Sequence, residues 1–291
     1  PYTSFAVRPR SRADEQKIGP ELQKITREDP TLRLRRDPVT HQLIVEGLSE
    51  MHLNAALHRL EHRGVGTERE LPRIAYKETI TGKADGHFRH KKQSGGRGQF
   101  AECYLRVAPR GRGEGFEFVD AVVGGSVPRQ FIPAVEKGVR DLLDKGVIAS
   151  SQLVDLTVEL YDGKFHAVDS DEHSFRIAAA QALREAFQKA RPILLEPIME
   201  AEITVPSRFF GDVSGDLNSR RGHILGMESD GDFQTIHASV PLSELQTYST
   251  TLRSMTHGEG SFAMKPARYE QVPSHLQADI VAKHGQPVAA E

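Results

Sequence analysis

Residues 1–76 alternate between two hydrophobic periods. Tyr2 to Arg8 reads as an extended start, after which Ile18, Leu22 and Ile25 recur at helical spacing among polar residues. Thr31 to Arg36 and Gln42 to Glu46 read as strands around the turn Asp37-Pro38, and Leu53, Ala56, Leu57 and Leu60 mark one face of an amphipathic helix closed by Gly64. A last strand leads to Tyr76, so the predicted order is βαββαβ. Pro20 falls inside the first helical stretch and is expected to interrupt it, because proline has no N–H to donate and its ring collides with the preceding turn.

The same order returns near the end of the chain. Ile198 to Val205 alternates as a strand, Phe210, Val213 and Leu217 form a helical stripe closed by Gly222, and His223 to Glu228 and Phe233 to Val240 flank the turn Ser229-Asp230-Gly231-Asp232. Leu242, Leu245, Leu252 and Met255 predict a second helix, and Ser261 to Tyr269 a closing strand. Two ferredoxin-like βαββαβ units therefore bracket a middle that follows another rule. There, strands flank a glycine-rich loop and Phe116 to Val123 is a further strand. Pro128 opens a helix whose apolar face is Ile132, Val135, Val139, Leu142 and Leu143. Leu153 to Tyr161 is a strand leading to the loop around His166, and an alanine-rich helix runs on towards Pro192. The expected class is α+β, with domains at 1–76, 77–196 and 197–273 and a C-terminal tail at 274–291.

Composition sets the context. The 291 residues, 38% hydrophobic, are enough for more than one core, and no apolar run approaches the ~20 residues that a membrane-crossing helix needs. Cys103 is the single cysteine, so no intramolecular disulfide is possible, and a reducing, cytoplasmic setting is expected. Pro1 is not an initiator methionine, which points to a piece of a longer protein. The 38 Lys and Arg nearly balance the 40 Asp and Glu. Charge is nevertheless concentrated between Gly86 and Phe100, where Arg89, Lys91, Lys92 and Arg97 occur with two histidines and no acid. A focused basic spot of this kind is a local footprint for RNA, its plainer alternative being a solvated charged loop.

Within that spot, Ser94-Gly95-Gly96-Arg97-Gly98 permits close backbone approach to an anion. It is no P-loop: Gly-x-x-x-x-Gly-Lys-Ser/Thr occurs nowhere in the chain, and the glycines lead into a strand-like segment, Phe100 to Val107. His166, Asp169, Asp171 and His173 are close enough to raise a metal site. No ligand spacing or second cluster supports one, and acids at a helix start suit its positive dipole end, so no metal is expected.

Gln93-Ser94-Gly95-Gly96-Arg97-Gly98-Gln99-Phe100, Gly115-Phe116-Glu117-Phe118-Val119, Ile132-Pro133-Ala134-Val135-Glu136-Lys137-Gly138 and His166-Ala167-Val168-Asp169-Ser170 resemble, in order, signatures of the fourth domain of bacterial elongation factor G. Gly47-Leu48-Ser49-Glu50-Met51-His52-Leu53 resembles the third-domain motif, and the stretches from Gly211 to Gly222 and from Val240 to Leu245 resemble the fifth. The resemblance covers residues 3 to 273. It implies a middle domain similar to domain 2 of ribosomal protein S5, and a chain lacking the family's GTPase and β-barrel domains. GTP and magnesium would then serve the full-length protein, with no cofactor and no catalytic residue in this part.

The resemblance further implies a monomeric ribosome-binding part of a translocation factor, with rRNA at the decoding centre, tRNA and mRNA as partners and no membrane. Its tip loops correspond to Lys91, Lys92, Gln93, Ser94, Gly95, Gly96, Arg97, Gly98 and Gln99, and to His166, Ala167, Val168, Asp169 and Ser170. The basic side chains suit phosphates, and Gln93 and His166 offer directional hydrogen bonds. Phe100-Ala101 stands where the family usually has Tyr-Gly, and Gly47-Leu48-Ser49-Glu50-Met51-His52 departs from Gly-Met-Gly-Glu-Leu-His. Asp171-Glu172-His173 follows the second loop in place of the usual Ser-Glu-Met, a set of departures that resembles a paralogue of the main translocase. A ribosome-protection or recycling factor of the same superfamily is the alternative. A small-molecule kinase with an S5-like fold is a remote one, since its Pro-x-x-x-Gly-Leu-Gly-Ser-Ser motif is absent.

Overall fold

The structure is a computed structural model that describes residues 3–93 and 98–284. The first domain runs β1 (Thr3–Pro9), α1 (Arg12–Glu28), β2 (Arg33–Arg36), β3 (Leu43–Gly47), α2 (Glu50–His62) and β4 (Thr67–Glu70), and its antiparallel sheet has the order β2-β3-β1-β4. Ile18, Leu22 and Ile25 from α1 and Leu53, Ala56, Leu57 and Leu60 from α2 are buried against Phe5, Val7 and Val45. The helix expected to break at Pro20 is continuous from Arg12 to Glu28. A mid-helix proline costs about 3 kcal/mol. Burial of Ile18, Leu22 and Ile25 at about 1.5 to 3 kcal/mol each outweighs that, and the exposed Pro20 ring meets solvent.

The middle domain comprises β5 (Lys77–Ile80), β6 (Ala84–Lys92), β7 (Gln99–Pro109), β8 (Phe116–Asp120), α3 (Ile132–Lys145), β9 (Gln152–Leu153), β10 (Leu156–Lys164) and α4 (Glu172–Lys189). Its main sheet has the order β6-β7-β10-β8, antiparallel except for the parallel pair β10 and β8. One face carries Ala101, Cys103, Leu105 and Val107 into a core shared with Val135, Val139 and Leu142 of α3 and Phe175, Ala179 and Leu183 of α4. The two helices approach closely at Gly138, where a Cβ would stand 2.2 Å from the Arg176 carbonyl oxygen. The strand expected from Phe116 to Val123 ends at Asp120, whose carboxylate accepts the Val122 N–H at 3.1 Å. Pro128 opens a single 3-10 turn, Arg129–Phe131, ahead of α3 itself.

β11 (Pro192–Pro206) follows, then α5 (Phe210–Ser219), β12 (His223–Asp230), β13 (Phe233–Pro241), α6 (Leu242–Leu245), α7 (Tyr248–Met255) and β14 (Ser261–Gln271). Ile198–Pro206 of β11 pairs with β13, β13 with β12 and β14 with β11, which repeats the strand order of the first domain. Met199, Ala201, Ile203 and Val205 on β11 and Ile236, Ala238 and Val240 on β13 face Val213, Leu217, Tyr248 and Leu252. The stretch expected as a tail begins as helix α8 (Ser274–His284), and the Gln277 Oε1 accepts the Leu194 N–H at 3.1 Å. Residues up to Ala75 form one unit with Glu196–Glu270, and Tyr76–Leu195 form another with the segment that starts at Gln271. Within the first unit Thr3 Oγ1 lies 2.8 Å from Ser249 Oγ, and Arg253 donates to the Leu48 carbonyl at 3.0 Å.

Candidate nucleic-acid interface

Strand alternation sorts the basic segment into two faces. Ala84 and Phe88 pack on the core with Gly86 between them, while His87, Arg89 and Lys91 occupy the opposite register positions. β6 and β7 form a hairpin whose last pairs are Lys91 with Phe100 and Lys92 with Gln99. Gln93 and Gly98 are the described residues that follow β6 and precede β7. Lys91, Lys92 and Gln93 are exposed. Ser94, Gly95, Gly96 and Arg97, also expected in the interface, lie outside the described residues.

The second loop leaves β10 and enters α4, whose first turn is capped by Asp171 accepting the Ser174 N–H at 2.7 Å. The two loops are tied together by backbone and side chain. Gly98 N donates to Asp169 Oδ1 at 3.2 Å, and Phe100 N to the Asp169 carbonyl at 2.9 Å. The Ser170 hydroxyl donates to the Phe100 carbonyl at 2.7 Å and accepts the His166 N–H at 2.8 Å. Gly98 eases this closeness, since a Cβ there would stand 3.0 Å from Asp169 Cγ and the Asp169 side chain would have to give way slightly. His90 Nε2 lies 2.9 Å from Gln99 Oε1 and holds the base of the hairpin.

These contacts divide the expected residues by position. Gly98, Asp169 and Ser170 make the lacing and Gln99 bonds His90 within the hairpin, while Lys91, Lys92, Gln93, His166, Ala167 and Val168 are exposed. His166 Nδ1 is turned inward, 3.3 Å from Asp169 N and 3.4 Å from Asp169 Oδ2. Its ring meets the Phe100 ring edge-on at 6.4 Å, and the Arg89 guanidinium lies 5.3 Å from the centre of that same Phe100 ring.

Two further features were not singled out in the sequence. Residues 121–128 form a third loop at the same end, because β8 runs parallel to β10 and the Ala121 N–H bonds the Leu160 carbonyl. Its signal was the pair Gly124-Gly125, both at positive φ (71° and 72°), beside Val123, which is 83% exposed. The other is Glu102, buried beneath the sheet's open face. His87 Nε2 lies 2.8 Å from its Oε1 and the Tyr104 hydroxyl donates to the same atom at 2.9 Å. Burial alone would raise the Glu102 carboxyl, but the His87 and Tyr104 hydrogen bonds and the nearby Lys164 charge outweigh it and hold the group below its ordinary value. Next to it, burial pushes the Cys103 thiol up to about 12, which removes it as a nucleophile at neutral pH. The arrangement offers exposed cations for anionic groups, directional hydrogen-bonding groups, and loops held in fixed relation.

Comparison with known proteins covers nearly the whole chain. The family model for elongation factor G domain III matches residues 1–70, that for elongation factor G domain IV residues 72–191, and that for the elongation factor G C-terminus residues 193–280. An elongation factor G from Aquifex pyrophilus is 43% identical over 285 residues, which is 97% of this chain and 41% of that protein. The chain thus spans about two fifths of the length of that relative. A crystal structure of a Thermus thermophilus protein, 37% identical, superposes with a TM-score of 0.84 over 99% of this chain and 43% of that one.

Proposed function

Since the chain belongs to the elongation factor G family and comprises its third, fourth and C-terminal domains, we propose that it is the ribosome-binding part of a factor that moves tRNA and mRNA during protein synthesis. The observation that carries this reading is the lacing of the two loops through Gly98, Phe100, Asp169 and Ser170, which sets His166 beside the exposed end of a basic hairpin. Lys91 and Lys92 neutralise rRNA, tRNA or mRNA phosphates, and Gln93 and His166 hold the codon–anticodon backbone at the decoding centre while the small subunit moves. The chain acts as a monomer. No bond is made or broken here. GTP and magnesium are assigned to a GTPase domain acting in cis; the P-loop motif that would hold the nucleotide phosphates does not occur in this sequence.

The test uses a factor that joins these domains to its GTPase domain. Replacing Gln93 and His166 by alanine is expected to slow single-round mRNA movement roughly ten- to a hundredfold, the worth of a desolvated hydrogen bond to phosphate made only in the transition state. Ribosome-stimulated GTP hydrolysis is expected to persist. Unchanged mRNA movement in the double variant would remove these two residues from the mechanism.

A further inference from the structure

Beside the laced loops lies a cavity of about 470 Å³ between the turn that precedes α3 and the loop that follows β10. Phe131 and Phe165 line it. Phe131 is a fixed surface, because its ring stacks on the fully buried Phe175 at 4.8 Å and 19°. Phe165 is 46% exposed, although a large apolar ring at a loop end ordinarily finds cover. The polar part of the lining comes from Gln130, His166, Asp171 and Glu172, with Ser170, whose hydroxyl is already engaged by His166 N and the Phe100 carbonyl. Among the described residues the side chains of Gln130 and Glu172 make no hydrogen bond or ion pair within the chain, and the His166 ring has only its inward nitrogen engaged.

The charge of this lining decides what fits. It contains two carboxylates and no lysine or arginine, so a phosphate would meet repulsion there even with the α4 N-terminus close by. A flat, neutral group with an amino-bearing edge meets aromatic surface on its faces and amide, imidazole and carboxylate at its rim. The volume falls within the range of small-ligand sites, about 300 to 1,000 Å³. The phosphates of the same strand then have Lys91 and Lys92 on the neighbouring hairpin.

We infer that this cavity receives one unstacked nucleobase of a single-stranded RNA segment, with Phe165 as its stacking surface and Glu172 and Gln130 reading its amino-bearing edge. The inference rests on the RNA-contact reading of the tip and adds a base-binding subsite to it. Stacking tolerates any base, and the acidic rim favours adenine, cytosine or guanine over uracil, which has no amino group.

The experiment titrates this chain, to millimolar concentration, into a short single-stranded oligoribonucleotide with one central 2-aminopurine, a fluorescent base carrying an amino group. The same oligomer with an abasic residue and the free 2-aminopurine riboside are parallel probes. Fluorescence quenching of the oligomer is expected, with affinity about tenfold weaker in Phe165→Leu, the worth of one base–aromatic stack, and retained in Phe165→Tyr. Phe165 is half exposed, so Phe165→Leu keeps the fold, which circular dichroism checks. Lys91→Ala with Lys92→Ala is expected to flatten the salt dependence while the quench at saturation stays. Equal binding of abasic and 2-aminopurine oligomers, with no effect of Phe165→Leu, overturns the subsite and leaves the phosphate reading standing. Equal quenching of the free riboside and the oligomer overturns the assignment to RNA. Absence of quenching with both probes overturns the subsite, and absence of any salt-dependent binding removes the tip reading as well.

Discussion

Arg221 shows how one side chain can secure a domain. It takes a left-handed backbone angle (φ 57°) just after α5, and its guanidinium meets both oxygens of the buried Glu196 at 2.6 and 3.1 Å, Glu244 at 3.1 Å and the Ser243 hydroxyl at 2.9 Å. Arg221→Ala would strand the Glu196 carboxylate, so a loss of about 3 to 5 kcal/mol is expected in urea unfolding. Arg221→Lys should recover only part of it, for an ammonium cannot span two carboxylate oxygens as a guanidinium does. Glu102 makes a pH-dependent contribution. Its carboxyl is held below the ordinary 4.5, so the stability it contributes is present above pH 4.5 and is lost as the pH falls through the lower, folded-state value. Thermal unfolding of Glu102→Gln is therefore expected to change less between neutral pH and pH 3 than that of the parent chain.

Among the elements, α1 carries an avoidable cost. Pro20 leaves the Gln16 carbonyl without its helical partner, and its ring is exposed, so no packing is lost by removing it. An interior proline costs about 3 kcal/mol, and its restriction of the unfolded chain returns up to about 1 kcal/mol. Pro20→Ala is thus expected to stabilise the first domain by about 2 kcal/mol, read as a raised urea midpoint with an unchanged slope. The loop after α3 has the opposite character. The fully buried Glu78 carboxylate accepts the N–H groups of Val147, Ile148, Ala149 and Ser151 at 2.8 to 3.0 Å, so a loop with little regular structure is held as firmly as a helix end.

For the whole molecule, a formal charge of −2 argues against general affinity for polyanions, which is why the proposed RNA contact is assigned to the local basic hairpin. Ribosome binding by this chain is expected to weaken with salt. Replacing Lys91, Lys92 and Arg97 by alanine should reduce the slope of log K against log salt by about 2, since each single-strand phosphate contact contributes about 0.7. Sedimentation with ribosomes over a salt series measures this. An unchanged slope would show that the hairpin does not touch phosphate.

The hydrophobic period located helices in both outer domains, because Ile18, Leu22 and Ile25, or Val213 and Leu217, repeat at a spacing that only a helix brings to one face, but the single helix expected from Leu242 to Met255 is divided into α6 and α7. The alternation in β6 likewise puts His87, Arg89 and Lys91 on the face away from the core, whereas Lys92, on the core-side register, is exposed because it lies at the strand's end. Charge clustering located the hairpin, and motif order located the second loop. Which residues hold the loops and which face outward depended on tertiary structure. Asp169 and Ser170 belong to the same short motif as His166, but their hydrogen bonds go to Gly98 and Phe100, some seventy residues away in sequence. The continuity of α1 through Pro20 was decided in the same way, since a local penalty is outweighed only when distant strands supply a surface on which its apolar face is buried. Glu78 and Glu102 read as ordinary strand acids in the sequence. Their burial follows from what β5 and β7 pack beside, and periodicity carries no record of a carboxylate's partners.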